Sequence, residues 1–260
     1  MSVDLLSFIL AEAGVLLIAF MKGAFGGGFA VVGIPLLSLA MDPIAAGALL
    51  APLFIVVDLT ALRYWRPATW SRPDLQILLP ALMGGIAVGY FALRRLDRHA
   101  VEVVIALITL AFTGLWFVAG GQPEQRPRST PKAVLAGFSS GVTTMVAHAG
   151  GPPLAMYLLP LGLPKAVYAG TTSLFFTVGN LIKVGPWLAL SHPGPELLWL
   201  MLACLPAVPL GVWAGWRLHN RLDQTRLYRA CYLLLVATAL KLLWDGLFGF
   251  VLNDGLGGSS

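Results

Sequence analysis

Apolar stretches nearly free of charge recur from Leu5 to Val251, and they leave the chain very few ways to fold. A helix needs about 20 apolar residues to cross the hydrocarbon core of a bilayer. In lipid only helices and closed barrels satisfy every backbone polar group. The period-two alternation of a barrel strand is absent, so the expected fold is all-α, a polytopic helical membrane protein. Of the 260 residues, 58% are hydrophobic and 11% charged. A soluble domain carries roughly 25% charged residues, so this chain cannot build a polar shell and lipid is its expected partner.

The net charge of +5 does not point to nucleic acid, because nearly all Arg and Lys lie in short loops between apolar segments, the positive-inside pattern. The first run, Leu5 to Met21, has acidic Asp4 and Glu12 and no preceding basic residue, so it is expected to be retained structure rather than a signal peptide. Cys204 and Cys231 lie inside apolar spans and imply no disulfide or metal framework. Trp65, Trp70, Trp187, Trp199 and Trp244 fall toward segment ends, as an interfacial belt does.

Ten apolar segments can be drawn, at about 5–21, 29–40, 44–62, 75–93, 100–119, 133–147, 152–163, 166–190, 197–216 and 230–251. The second and seventh are half-length, since twelve helical residues rise only about 18 Å. Each follows a helix-breaking joint, Gly23-Ala24-Phe25-Gly26-Gly27-Gly28 or His148-Ala149-Gly150-Gly151-Pro152-Pro153. Such breaks are tolerated in a membrane only where they are buried or line a cavity.

The two halves repeat. Gly23, Gly33 and Pro35 match Gly141, Gly151 and Pro153 at an offset of 118. Pro80, Gly85, Gly89, Arg95, Leu96 and Asp97 match Pro206, Gly211, Gly215, Arg221, Leu222 and Asp223 at an offset of 126, with Asp58 close to opposite Asn180. A duplication follows. If each broken pair is a hairpin, one face receives 11 Arg and Lys and the other only Arg94, Arg95 and Arg98. That asymmetry predicts inverted repeats with both termini periplasmic, each repeat a broken or re-entrant hairpin plus three spanning helices. The predicted layout is a single membrane domain: 1–120 first repeat, 121–131 cytoplasmic linker, 132–252 second repeat and 253–260 flexible tail.

The duplicated blocks G-A-F-G-G-G-F-A-V-V-G-I-P and G-V-T-T-M-V-A-H-A-G-G-P-P, with the recurring R-L-D turn, resemble the TauE/SafE family of sulfite and sulfonate exporters along essentially the whole chain. The resemblance implies a multi-pass protein of the bacterial inner membrane that exports sulfite, sulfoacetate or a related organic anion. Family members are drawn with about eight spans; counting each broken pair as a hairpin gives ten.

A small oxyanion is best held by donors without excess fixed charge, and half-helix N-termini supply them. Inverted-repeat transporters place such breaks at the midplane. The expected substrate-facing residues are therefore Gly26, Gly27 and Gly28 at the first joint and Gly150 and Gly151 at the second. The alternative is that these glycines only allow close helix packing. A Cβ at Gly27 or Gly151 is expected to displace the anion, with Gly246 as a neutral control. Lys22 either attracts the anion or snorkels. His148 either donates to substrate and carries a coupled proton or packs against backbone. Thr144, among the hydroxyls of Thr143, Thr171, Thr172 and Ser173, and Asn180 complete the expected site. Asp58 is expected to be a proton site or a counter-ion to Lys22 or Lys183, and Lys241 should pair with Asp245 one turn on. No residues stand at ligand spacing with His148, so no metal or cofactor is expected. Gly26 to Gly28 lack the G-K-[S/T] of a P-loop. A secondary carrier with a small anionic substrate, as monomer or homodimer, is the leading reading. A passive anion channel is the alternative, and an enzyme is not expected.

Overall fold

The computed structural model describes residues 5–29, 37, 43–92, 98–118, 125–191 and 195–256. All regular structure among them is helical: α1 (Leu5–Phe25), α2 (Pro43–Leu62), α3 (Arg72–Ala92), α4 (Arg98–Val118), α5 (Thr130–Ala147), α6 (Gly151–Leu158), α7 (Lys165–Ser191), α8 (Pro195–Cys204), α9 (Ala207–Arg221) and α10 (Gln224–Leu256). Among the described residues four helical stretches are long and apolar enough to cross a membrane: Phe8–Phe25, Arg72–Phe91, Pro195–Arg221 and Gln224–Phe248. Phe91, Leu115, Val118 and Trp199 are each more than two-thirds exposed. In water such a surface would be an aggregation hazard; against acyl chains it is ordinary.

Most expected segments become helices within a few residues of their predicted bounds, with two differences. Segment 197–216 is divided at Leu205 and Pro206 into α8 and α9, because proline lacks the N–H for the helical ladder and crowds the preceding turn. Pro80, which matches Pro206 at the offset of 126, stays inside an unbroken α3. The stretch expected to be a tail from 253 is helical as far as Leu256. Most of the short segment 29–40, including Gly33 and Pro35, and the Arg95-Leu96-Asp97 turn lie outside the described residues.

Helix pairing is dominated by α3 with α5, α1 with α9, α4 with α10 and α2 with α7. By the sequence offsets α1 is equivalent to α5 and α3 to α9, so the first two pairs exchange when the halves are exchanged. Small residues make both pairs close. A Cβ at Gly137 or Gly141 of α5 would run into the carbonyl oxygen of Leu78 or Leu82 of α3, and one at Gly211 or Gly215 of α9 into that of Leu16 or Phe20 of α1. Since later glycines meet later carbonyls, both pairs run parallel. The equivalent helices α4 and α10 run antiparallel: Phe112 stacks on Tyr232 with centroids 5.8 Å apart, while Gly246 abuts His99 and Val103. Helices α2 and α7 do likewise, with Asp58 on Asn180 and Thr69, just past α2, against Gly170 near the start of α7.

Two apolar cores flank this seam. One holds Leu78, Met145, Leu158 and Phe175; the other holds Val15, Leu53, Val57 and Val208. Between them lies a band of buried polar side chains, including Lys22, Asp58, Asn180 and Lys183. That band locates the site.

Candidate functional site

Helix α1 stops because Gly26 and Gly27 take φ of 79° and 98°, a region open to glycine and costly for other residues. The Gly26 amide still donates to the Lys22 carbonyl at 3.0 Å, which holds Lys22 in the last helical turn. Helix α5 stops differently. Its cap is His148 in the left-handed conformation, φ 53° and ψ 21°, where glycine or asparagine usually stands. The Ala149 amide donates back to the Thr143 carbonyl at 3.1 Å, and the Thr143 hydroxyl donates to the Ala149 carbonyl at 3.1 Å.

The two joints touch. A Cβ on Gly151 would overlap the Gly28 carbonyl oxygen, so only glycine fits there. Beside this contact is a cavity of about 40 Å³, lined by Lys22, Gly27 and Gly28 from the first joint and Thr144, His148 and Gly151 from the second. Ile18 of α1, Phe54, Val57 and Asp58 of α2 and Phe176, Asn180 and Lys183 of α7 complete the wall. At ~10–15 Å³ per enclosed water, the space matches about three waters or one small oxyanion.

Gly26 and Gly150, expected at the substrate, do not line the cavity. Gly26 packs against Ala169 and Thr172. Gly150 faces Thr144, and its carbonyl accepts from the Ser140 hydroxyl at 2.7 Å. Both shape the joints. Thr172 and Ser173, on α7, lie against the first joint, where Lys22 Nζ donates to the Ser173 carbonyl at 3.1 Å.

The charges are arranged unequally. Lys22 Nζ lies 2.6 Å from Asp58 Oδ1, and Asn180 Nδ2 donates to Asp58 Oδ2 at 2.9 Å, so both carboxylate oxygens are engaged. Lys183 Nζ donates to the Thr144 hydroxyl at 2.7 Å and the Thr144 carbonyl at 3.3 Å. Two ammonium groups thus share one cavity with one carboxylate. Proline at 152 and 153 removes two amides from the first turn of α6, which leaves Gly151 and Leu154 as its backbone donors. The fixed cations therefore dominate the field here more than a helix terminus does.

The chain matches the family described as sulfite exporter TauE/SafE over residues 12–242. It belongs to the TauE/SafE family. No curated protein and no solved structure matches it. A TauE/SafE chain is a transporter of the sulfite-export type and a multi-pass membrane protein.

Three further features of this TauE/SafE protein escape the sequence reading. Lys183 enters that reading only as a partner for Asp58, although a mid-span cation is itself a signal of a cavity. Trp65, expected in the interfacial belt, is buried. Its indole donates to the Lys22 carbonyl at 3.4 Å, and its ring meets His219 edge-on at 4.6 Å; His219 Nδ1 in turn lies 2.8 Å from the Ala24 carbonyl. This pair packs behind the first joint on the side of the Arg63–Arg66 loop. Trp199 and Trp244 are exposed, as belt residues are. Last, buried Asp74 accepts from the Ser71 hydroxyl, from Tyr157 Oη at 2.8 Å and from Arg128 Nε at 3.2 Å. The Ser71 amide donates to Thr171 Oγ1 at 2.8 Å. One carboxylate thus ties α6 to α3, α7 and the segment before α5.

Proposed function

We infer that this protein is a secondary carrier that exports sulfite across the bacterial inner membrane, binding it in the cavity between the two joints. The observation that carries the reading is the charge balance of that cavity: Asp58 is shared by Lys22 and Asn180, while Lys183 donates to the neutral oxygens of Thr144. Two buried cations against one carboxylate leave one excess positive charge, which attracts an anion and suits the singly charged hydrogensulfite form of sulfite. The size of about 40 Å³ favours sulfite over the larger sulfoacetate. Lys183, Thr144, His148 and the Gly27-Gly28 and Gly151 backbone contact the substrate in this reading, Asp58 is the counter-ion of Lys22, and His148 carries any coupled proton.

The antiparallel packing of equivalent helices, α4 with α10 and α2 with α7, supports two inverted repeats that exchange roles as the site faces one side and then the other. The buried Trp65 and His219 behind Lys22 favour a gated carrier over an open pore. Proteoliposomes loaded with unlabelled sulfite test this by counterflow. Transient accumulation of external radiolabelled sulfite is expected, slowed less by external sulfate than by external unlabelled sulfite. Equilibration without overshoot by a correctly inserted protein would establish a channel instead.

A further inference from the structure

A second, larger space of about 720 Å³ opens between α4, α5 and α6. It is separate from the cavity of the joints: Thr143 and Pro153 line it, while their neighbours Thr144 and Gly151 face the cavity. Its α4 wall is the stripe Ala100, Val104, Ile108 and Phe112, and its α5 wall is Lys132, Leu135, Ser139 and Thr143, about one residue per turn. At 1.5 Å per residue these stripes run about 17–18 Å. One leaflet of a ~30 Å hydrocarbon core is about 15 Å deep. Val104, Ile108 and Leu135 are each more than half exposed, so the groove faces the surroundings of the protein.

Charge is confined to one end, where Arg126 and Lys132 stand. Every hydroxyl lining the groove is engaged within the protein: Thr109 donates to the Ile105 carbonyl at 2.7 Å, Thr143 to the Ser139 and Ala149 carbonyls at 2.8 and 3.1 Å, Ser139 to the Leu135 carbonyl and Tyr157 to Asp74 at 2.8 Å. The trough is thereby apolar in effect, with a cationic mouth. A small oxyanion gains nothing from about 17 Å of such wall, whereas an amphiphile uses both parts. We propose that this groove seats an acyl chain of an anionic phospholipid from the adjoining leaflet, with its phosphate held by Arg126 and Lys132. Apolar walls do not discriminate among lipids, so selectivity rests on the two cations. The bound chain lies against Met156 and Tyr157 of α6 and so buttresses the helix that closes the second joint.

The test uses the full chain in nanodiscs of equal phosphatidylglycerol and phosphatidylcholine, extracted into mild detergent and examined by native mass spectrometry. The wild type should retain phosphatidylglycerol over phosphatidylcholine by about fivefold or more, the factor that one juxtamembrane cation supplies. The double variant Arg126→Gln/Lys132→Gln should lose that preference, while Arg217→Gln on α9 keeps it. Ile108→Trp, which fills the trough away from the cations, should lower retention of both lipids. Inorganic phosphate at millimolar concentration should leave retention unchanged. Equal retention of the two lipids by the wild type, or a preference that survives loss of both cations, overturns the proposal. Displacement by phosphate alone would also overturn it, by showing an anion site that needs no chain.

Discussion

Lys22, Asp58 and Lys183 set the chemistry of the cavity, and their contacts make different predictions for each. Breaking a buried ion pair by removing one partner costs about 3–5 kcal/mol, whereas replacing both members is close to neutral. Lys22→Met and Asp58→Asn should each lower the melting midpoint in detergent by several degrees, and the double variant should recover most of the loss. Additive losses would show that the 2.6 Å contact contributes nothing to stability. Asp58→Asn is therefore a poor test of proton coupling, because it also strands Lys22. Lys183→Met leaves Asp58 with its contacts to Lys22 and Asn180 in place. It should preserve or raise stability while weakening sulfite about ten- to a hundredfold, the worth of one charged hydrogen bond; isothermal titration reads it, and unchanged affinity would move the anion away from Lys183. His148 separates side chain from backbone. A non-glycine residue in its left-handed conformation costs about 1–2 kcal/mol, so His148→Gly should raise the melting midpoint and, if the imidazole carries a proton, abolish pH-gradient-driven flux. A lowered midpoint would assign the ring to packing.

Among the elements, the joints and the glycine-lined pairs carry the architecture. Gly151 faces the Gly28 carbonyl and Gly27 faces the Lys22 side chain at a φ of 98°, so a Cβ at either strains backbone before it meets any anion. Gly151→Ala should reduce the yield of monodisperse protein, and Gly27→Ala should displace Lys22. Gly246, expected to be neutral, is not: a Cβ there would crowd Val103 and the His99 carbonyl. Gly114, with nothing within 4 Å, is the proper control, and Gly114→Ala should match wild type in fluorescence-detected gel filtration. A monodisperse, sulfite-binding Gly151→Ala protein would show that the joints can separate without loss of the site. The joints themselves are legible in sequence, because runs of glycine and proline inside apolar segments interrupt a helix wherever they stand. What those glycines touch is not legible, since Gly26, Gly28 and Gly151 approach residues more than a hundred positions away.

For the whole molecule, loop charge predicts an odd number of crossings per half. Reporter fusions at Gly121 should behave as cytoplasmic and fusions after Asn253 as periplasmic. A cytoplasmic C-terminus would remove the charge argument for inverted repeats and leave the antiparallel packing of α4 on α10 to be explained by connectivity alone. The exchange of α3 with α5 for α1 with α9 links the halves across the molecule, so neither half buries its own glycine face. Expressed separately, the halves should therefore be recovered in aggregates, and their co-expression should restore soluble detergent complexes.

The class of fold and the positions of both joints are written in the order of residues, and so is the offset between the halves that suggests a duplication. Each depends on local composition, on the 20-residue length that a bilayer demands, or on an offset that can be counted along the chain. Lys22, Asp58, Asn180, Thr144 and His148 stand out in the same way, because polar groups inside apolar spans are costly. How those groups divide their labour depends on packing. Pairing Asp58 with Lys22 rather than Lys183, burying Trp65 behind the joint and drawing Gly26 and Gly150 away from the cavity all turn on distances between helices remote in sequence. Hydrophobic periodicity sets which residues avoid lipid, but not which partner each one meets inside.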